Sequence, residues 1–573
     1  MKNKYILLLV LVLVATTVLA ACGSGGNKGE ENGTGTANTA KPETKKDNKK
    51  SGELSEEDLL TPPGTYPITK EKVTIKAMVR GNPLVEDFAT NDFTKWYEEK
   101  TNVHIEWEVV PEQSRQEKLN LALTGNDYPD IIFGINVSST QQMIYGSQGI
   151  FLPLNDLIEK QGTQVKKMFE DKPFVKNTIT APDGNIYGLP DVNECFHCSM
   201  AQKMWLNKEW LDKLELQMPA TTEELYEVLK AFKEKDPNGN NKQDEIPLAF
   251  TQKSWLSNME AFLMNSFVYT PMINSTTKYL YADADNKVNA SFEQPGWKEG
   301  LKYLNRLYSE GLIAQESFTQ DGNQLIQLGE NSDEVILGGA GGGHQGVFTV
   351  LHGDSGRWMN YSAVPPLKGP EGVQYASYDP TGMTAGAFII TDKAKYPEIA
   401  LRWADGLYEF EHTLRSNHGR PGVEWREAEP GELGINGEQA TWAEIEFHGT
   451  LQNNNYSQTG PGRRSNEFRL SSVAKGDTDS EVILYKETKE KYEPYQPKDV
   501  KSLPPLFLTE EQAAEAADLQ KTLFDYVEEM TARFVIGDAD IEKEWENYLK
   551  TLKDMNLARY IDIYQEAYQP HTN

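Results

Sequence analysis

Asp236, Asn238, Asn240, Lys242 and Asp244 stand at alternate positions of one short polar stretch, with Glu245 adjacent. They fill places 1, 3, 5, 7 and 9 of a loop of the EF-hand kind. Alternate oxygen-bearing side chains let such a loop wrap a hard cation such as Ca2+, and place 7 contributes its backbone carbonyl. Two places depart from the pattern. Place 6 is Asn241 instead of Gly, and Asn tolerates the left-handed conformation needed there. Place 12 is Pro247, so Glu245 must supply the missing carboxylate. An Asx-rich turn between a helix and a strand has the same composition and needs no metal. Spacing alone favours neither reading.

Three cysteines are present. Cys195 and Cys198 lie in Glu194-Cys195-Phe196-His197-Cys198, and in an oxidising compartment a local disulfide is the simplest state. Two free thiols come next. A zinc site would need two more soft ligands, of which His197 supplies at most one. A thioredoxin-like role lacks the fold context it requires.

The signatures of catalysis are missing: no nucleophile elbow, HExxH helix or Walker loop occurs, and the 8 histidines are scattered without metal spacing. Gly341-x-Gly343-x-x-Gly346 matches a dinucleotide fingerprint in form, but Val347–Val350 reads as strand where a helix should start. A close backbone approach is the better reading. The chain is expected not to be an enzyme. The alternatives are an anchored glycoside hydrolase using two of the 86 acidic residues and a peptide-binding lipoprotein.

The N-terminus carries Lys2 and Lys4 before an apolar run from Tyr5 to Val14, which describes a secretory signal peptide over 1–21. The run falls short of the roughly 20 residues that span hydrocarbon. Leu19-Ala20-Ala21-Cys22 resembles the bacterial lipobox, so Cys22 is the expected lipid anchor, on the extracytoplasmic face of the cell membrane. Two or more acyl chains would hold it there stably. Residues 22–63 read as a flexible linker with almost nothing apolar to bury, reaching on the order of 30 Å.

With 57 basic against 86 acidic residues the formal charge is −29. That balance excludes nucleic-acid binding by phosphate neutralisation. It also repels anionic lipid, leaving the acylated cysteine as the one membrane attachment.

Positioning these groups requires a scaffold. Val73–Val79 alternates as a strand, a helix follows through Asp92 to Lys100, and Val103–Val109 alternates again. A helix over Gln113–Thr124 then leads to the strand Asp130–Phe133. This order implies a mostly parallel sheet covered by helices, an α/β fold. A helix-rich region follows, with a capping box at Thr221 and Glu224. Trp297–Glu310 is helical, Ala387–Ile390 is a returning strand, and amphipathic helix runs from Thr509 to Tyr568.

Three stretches carry a resemblance: Gln202–Leu211, Asp236–Pro247, and Gly537–Asp540 continuing to Trp545. Their order and spacing resemble the family-1 extracellular solute-binding proteins of ABC importers, above all the large lipoproteins that include the alginate-oligosaccharide-binding proteins. The resemblance implies a two-lobed periplasmic-binding-protein-like fold with a hinge and an interlobe cleft, the second lobe rich in helix. It implies a first lobe of 64–192 and about 380–440, and a second of 193–379 and about 441–573. It further implies capture of an oligosaccharide, delivery to permease subunits in the membrane, and monomeric action. It tips the polar loop towards structural calcium.

Sites in open α/β sheets gather at the carboxyl ends of strands. That rule selects Arg80 and Asn82 after the first strand, Asp191 and Asn193 near the first crossing, and Tyr378 and Asp379 before the returning strand. Trp255, Trp358 and Trp425 lie in loop-like surroundings and would stack on sugar rings, with core packing an equal alternative for each. Overall acidity disfavours an anionic ligand, which Arg463 and Arg464 could offset.

Overall fold

The strand Val73–Arg80 lies inside a six-stranded sheet of a computed structural model that describes residues 55–272, 277–331, 334–445 and 450–568. Across the sheet the order is Val103–Val110, Val73–Arg80, Ile131–Phe133, Met383–Ile390, Gly188–Asn193 and Arg463–Arg464. The first three strands run parallel, with Val73 opposite Val103 and Ala77 opposite Ile131. Met383–Ile390 returns antiparallel to both neighbours and shifts register between Thr384 and Phe388.

Strand residues point alternately to the two faces. Val79, Ile131 and Phe133 accordingly join a core with Trp403 and Tyr456. Met78, Ile132 and Ile389 join a second core with Leu119 and Phe151. Apolar cover on both faces is what a parallel sheet demands.

Order begins earlier than the sequence suggests. Ser55 caps a short helix, Glu56–Leu59, and Leu59 and Leu60 are buried in the first core. Arg402 donates to the carbonyls of Pro62 and Thr65 at 3.0 and 2.8 Å. The expected linker of 22–63 is therefore corrected over 55–63, where guanidinium-to-backbone bonds offset the ordering entropy. Its residues 22–54, the signal segment 1–21 and Cys22 lie outside the described residues.

The second lobe packs around one large core. Met204–Asn207 sits between Gly339–Gly341 and Tyr361–Ala363, antiparallel to both. The glycines are there for space: a Cβ on Gly339 would stand 2.6 Å from the Trp205 carbonyl oxygen. The helix Thr222–Glu234 starts at the capping box of Thr221 and Glu224. A second box, Thr509 with Gln512, opens the helix Glu510–Ile536, which Gly537 ends in the left-handed conformation. Ile541–Asp554 and Leu557–Tyr568 complete this lobe.

Core membership changes from the first lobe to the second between Val192 and Met200, back again between Ala376 and Phe388, and finally between Tyr456 and Leu484. The expected boundary at about 441 is corrected by this path. Tyr456 packs in the first-lobe core and Arg463–Arg464 pairs with the edge of the six-stranded sheet. Trp442 and Phe468 share a small core with Leu414 and Trp425. Tertiary pairing of a two-residue strand leaves no periodic signal to read.

Candidate functional site

Two of these crossings and a third segment line a cleft of about 1150 Å³. That exceeds the range of roughly 300–1,000 Å³ that holds drug-sized molecules. Asn193–Phe196 and Cys198–Met200 form one wall, Tyr378–Thr384 the next, and Gln496–Lys498 with Val500–Pro505 a third. The first two walls are tied by the Asp379 backbone N–H, which donates to Ser199 O at 2.8 Å.

Of the residues expected to meet ligand, Asn193, Trp255, Tyr378 and Asp379 line this cleft. Trp255 is 36% exposed, unusual for its size. It lies on the backbone of Gly343, where an added Cβ would stand 2.0 Å from the indole ring. His344 tilts against it with ring centroids 5.4 Å apart. The glycine cluster thus makes the close approach its composition suggested, to an aromatic platform. Asp379 is oriented by the Thr381 N–H at 2.8 Å. Tyr378 O accepts Ser502 Oγ at 2.6 Å, and the Tyr269 hydroxyl stands 2.9 Å from Ser502 Oγ. Burial pushes the Tyr269 hydroxyl up to about 12, so it stays neutral in its bonds to Ser502 and Tyr378.

The other candidates do not line this cleft. Arg80 is paired with Glu112 at 3.1 Å. Asn82 donates to Ser457 O and Thr459 Oγ1, both at 3.0 Å. Asp191 pairs with Arg464 beneath the cleft, its second oxygen buried without a hydrogen-bond partner. Trp358 is only 2% exposed, packed edge-on against His352 at 4.9 Å. Trp425 is buried with its indole N–H on Gly419 O at 2.9 Å. These tryptophans sit in local turns, which sequence reads as loop, yet their rings face inward.

Sequence reasoning missed Lys172, Glu194 and Tyr269 as lining residues. Lys172 forms an ion pair with Glu194, whose other oxygen accepts the Asn466 N–H at 2.9 Å. Arg463 is paired with Asp171 at 2.8 Å. Neither Arg463 nor Arg464 therefore offers an uncommitted charge to an anionic ligand. Pro497, Pro504 and Pro505 are the signal in the sequence that could mark the third wall. Cys195 and Cys198 also line the cleft, joined as a disulfide with Cα atoms 5.0 Å apart.

The polar loop lies apart from these walls. Asp236 accepts the N–H groups of Gly239 and Asn241, both at 2.9 Å. Asn241 adopts φ 60°, the left-handed place-6 conformation expected of it. The amides of Asn238 and Asn240 donate to Asp244 at 3.0–3.1 Å, and the bond from Asn238 leads in holding the Asp244 carboxyl low. Burial, with Asp236 and Asp244 adding repulsion, pushes the Glu245 carboxyl up. Its Oε1 is buried without a partner. A cation would relieve that repulsion, and a half-turn of each amide would swap N–H for oxygen towards it. The donor set fits a hard divalent ion.

Residues 81–409 match the family of bacterial extracellular solute-binding proteins. The chain belongs to this family. It is 29% identical to the fructooligosaccharide ABC transporter substrate-binding protein FusA of Streptococcus pneumoniae, over 98% of this chain and 97% of FusA. The structure of FusA with kestose covers 87% of this chain and 99% of its own at TM-score 0.69 and 28% identity. An EF-hand mutant of FusA with fructo-nystose covers the same shares at TM-score 0.68 and 28% identity. A solute-binding protein of Bifidobacterium longum subsp. infantis (TM-score 0.75, 24% identity, 88% and 99% covered) shares the two-lobed fold. So does the alginate-binding protein AlgQ2 solved without calcium (TM-score 0.61, 24%, 88% and 100%). Among the described residues no helix is long and apolar enough to cross a membrane.

Proposed function

We propose that this chain is the solute-capturing subunit of an ABC importer, closing its lobes on an uncharged oligosaccharide and presenting it to the permease. The observation that carries this reading is the cleft between the lobes, with Trp255 as an exposed stacking face and Lys172 paired with Glu194 on its wall. Hinge closure of two lobes on a ligand needs only differential contacts, not a catalytic group. Glu194 is committed to Lys172 and a backbone N–H, and Asp379 to a backbone N–H, which supports binding rather than hydrolysis. Fructooligosaccharides come first as candidates, because the relative similar along nearly the whole chain is named for them. Acylated Cys22 would tether the monomer to the outer face of the membrane.

Calorimetry with kestose, nystose, neutral glucans and oligouronates tests the proposal. Micromolar or tighter binding of a neutral oligosaccharide, with the sugar recovered intact, is the expected result. Release of reducing ends, or preference for uronates, would overturn it. Calcium is assigned to Asp236, Asn238, Asn240, Lys242 O, Asp244 and Glu245 as a structural ion. At a hundredfold excess over Kd it should stabilise the protein by about 2.7 kcal/mol, an increment that chelator removes and Asp244→Ala abolishes. Melting curves with and without chelator read it directly.

A further inference from the structure

We propose that Cys195, His197 and Cys198 form a redox-gated site for a soft divalent cation of the Zn2+ type, available when their disulfide is reduced. One ligand atom from each of the three lies within 4.8 Å of the others. His197 Nε2 stands 3.4 Å from Cys195 Sγ, while Nδ1 faces the Glu481 carboxylate at 3.7 Å. A metal-bound histidine is commonly held this way, one nitrogen on the metal and the other towards a carboxylate that fixes ring orientation. The loop is pre-shaped: Ser199 N donates to Cys195 O at 3.0 Å, and Lys203 Nζ donates to His197 O at 3.0 Å. Cys195 and His197 are 7% and 8% exposed, and both cysteines line the cleft. Three protein ligands are thus backed by the fold, with the fourth position open to the cleft, as zinc sites with an exchangeable ligand are built. The fourth soft ligand that a closed structural site demands is not required here.

The chemistry balances with a dithiol as reductant. Its two thiols become a disulfide, the Cys195–Cys198 S–S bond breaks, and two protons end on the two Sγ atoms. Metal binding then releases both protons and forms two metal–sulfur bonds and one to His197 Nε2. In the oxidised protein the sulfurs are bonded to each other and the site is closed.

The full chain is reduced with excess dithiol, desalted without oxygen and titrated with Cd2+, whose thiolate complexes absorb in the ultraviolet. One equivalent should bind with that band in reduced protein, and none with it in oxidised protein. Zn2+ should displace it. Glu481→Gln, which leaves every ligand in place, should weaken Cd2+ by about tenfold or more. Cys195→Ser/Cys198→Ser keeps Cys22 and the polar loop and should lose the band. If that variant does not fold, oxidised wild type is the reference. Equal cadmium binding by reduced and oxidised protein, or by reduced protein and the double variant, overturns the site.

Discussion

In the first-lobe sheet, Ile131, Ile132 and Phe133 are at most 1% exposed and belong to the apolar cores. At the seam where the chain crosses between lobes, burial falls on Glu194, His197, Lys203 and Arg464 instead. Apolar contact is non-directional, so the sheet needs volume and little else. Buried polar groups need named partners, and a group that changes partner can serve two arrangements. The difference teaches why one region fixes the fold and the other is where movement and binding are proposed.

The sharpest way to break this comparison is Phe133→Ala. Phe133 lies edge-on to Trp107 and Trp403 at 5.4 and 5.6 Å, so its removal should cost about 3–5 kcal/mol. Urea unfolding measures it, and oligosaccharide affinity of the folded fraction should stay unchanged. Trp255→Ala should do the reverse: stability within about 0.5 kcal/mol, and Kd raised about tenfold or more, which is roughly 1.4 kcal/mol. Calorimetry on the best ligand decides it, and a stability loss as large as that of Phe133→Ala would mean that Trp255 belongs to the core.

The smallest effect sharpens the seam itself. Burial would push the Glu444 carboxyl up, but His418 and Lys475 beside it bring it down to about 2. A carboxyl lowered on folding stabilises at pH above its unfolded value, about 4.3, and loses that contribution as pH falls towards 2. Glu444→Gln should therefore cost roughly 1 kcal/mol at pH 7, kept small by solvent screening, and nothing near pH 2. Unfolding midpoints across that range show the convergence or its absence.

Legibility in the sequence followed the same division. The strand Val73–Arg80 and both capping boxes were visible because period and caps are local properties. Asn241 was readable as a left-handed position for the same reason. Trp255, Trp358 and Trp425 looked alike in sequence, yet only the first faces the cleft. Nothing within a few residues of each encodes which way its ring turns, since Gly343 stands 88 positions beyond Trp255. The third crossing was expected at about 441, ahead of Tyr456 in the first-lobe core, because Arg463–Arg464 joins the sheet through two residues alone.

By itself the sequence determined the alternating strands and helices, the acidity, the spacing of the polar loop and the family resemblance. Those rest on periodicity, composition and short-range geometry, which neighbours along the chain carry. The tertiary structure alone decided which aromatic rings meet solvent in the cleft and that Arg463 and Arg464 are spent on Asp171 and Asp191. It alone turned His197 onto Cys195. Each is a contact whose energy is set by burial and partner distance, and those exist only once remote segments have come together.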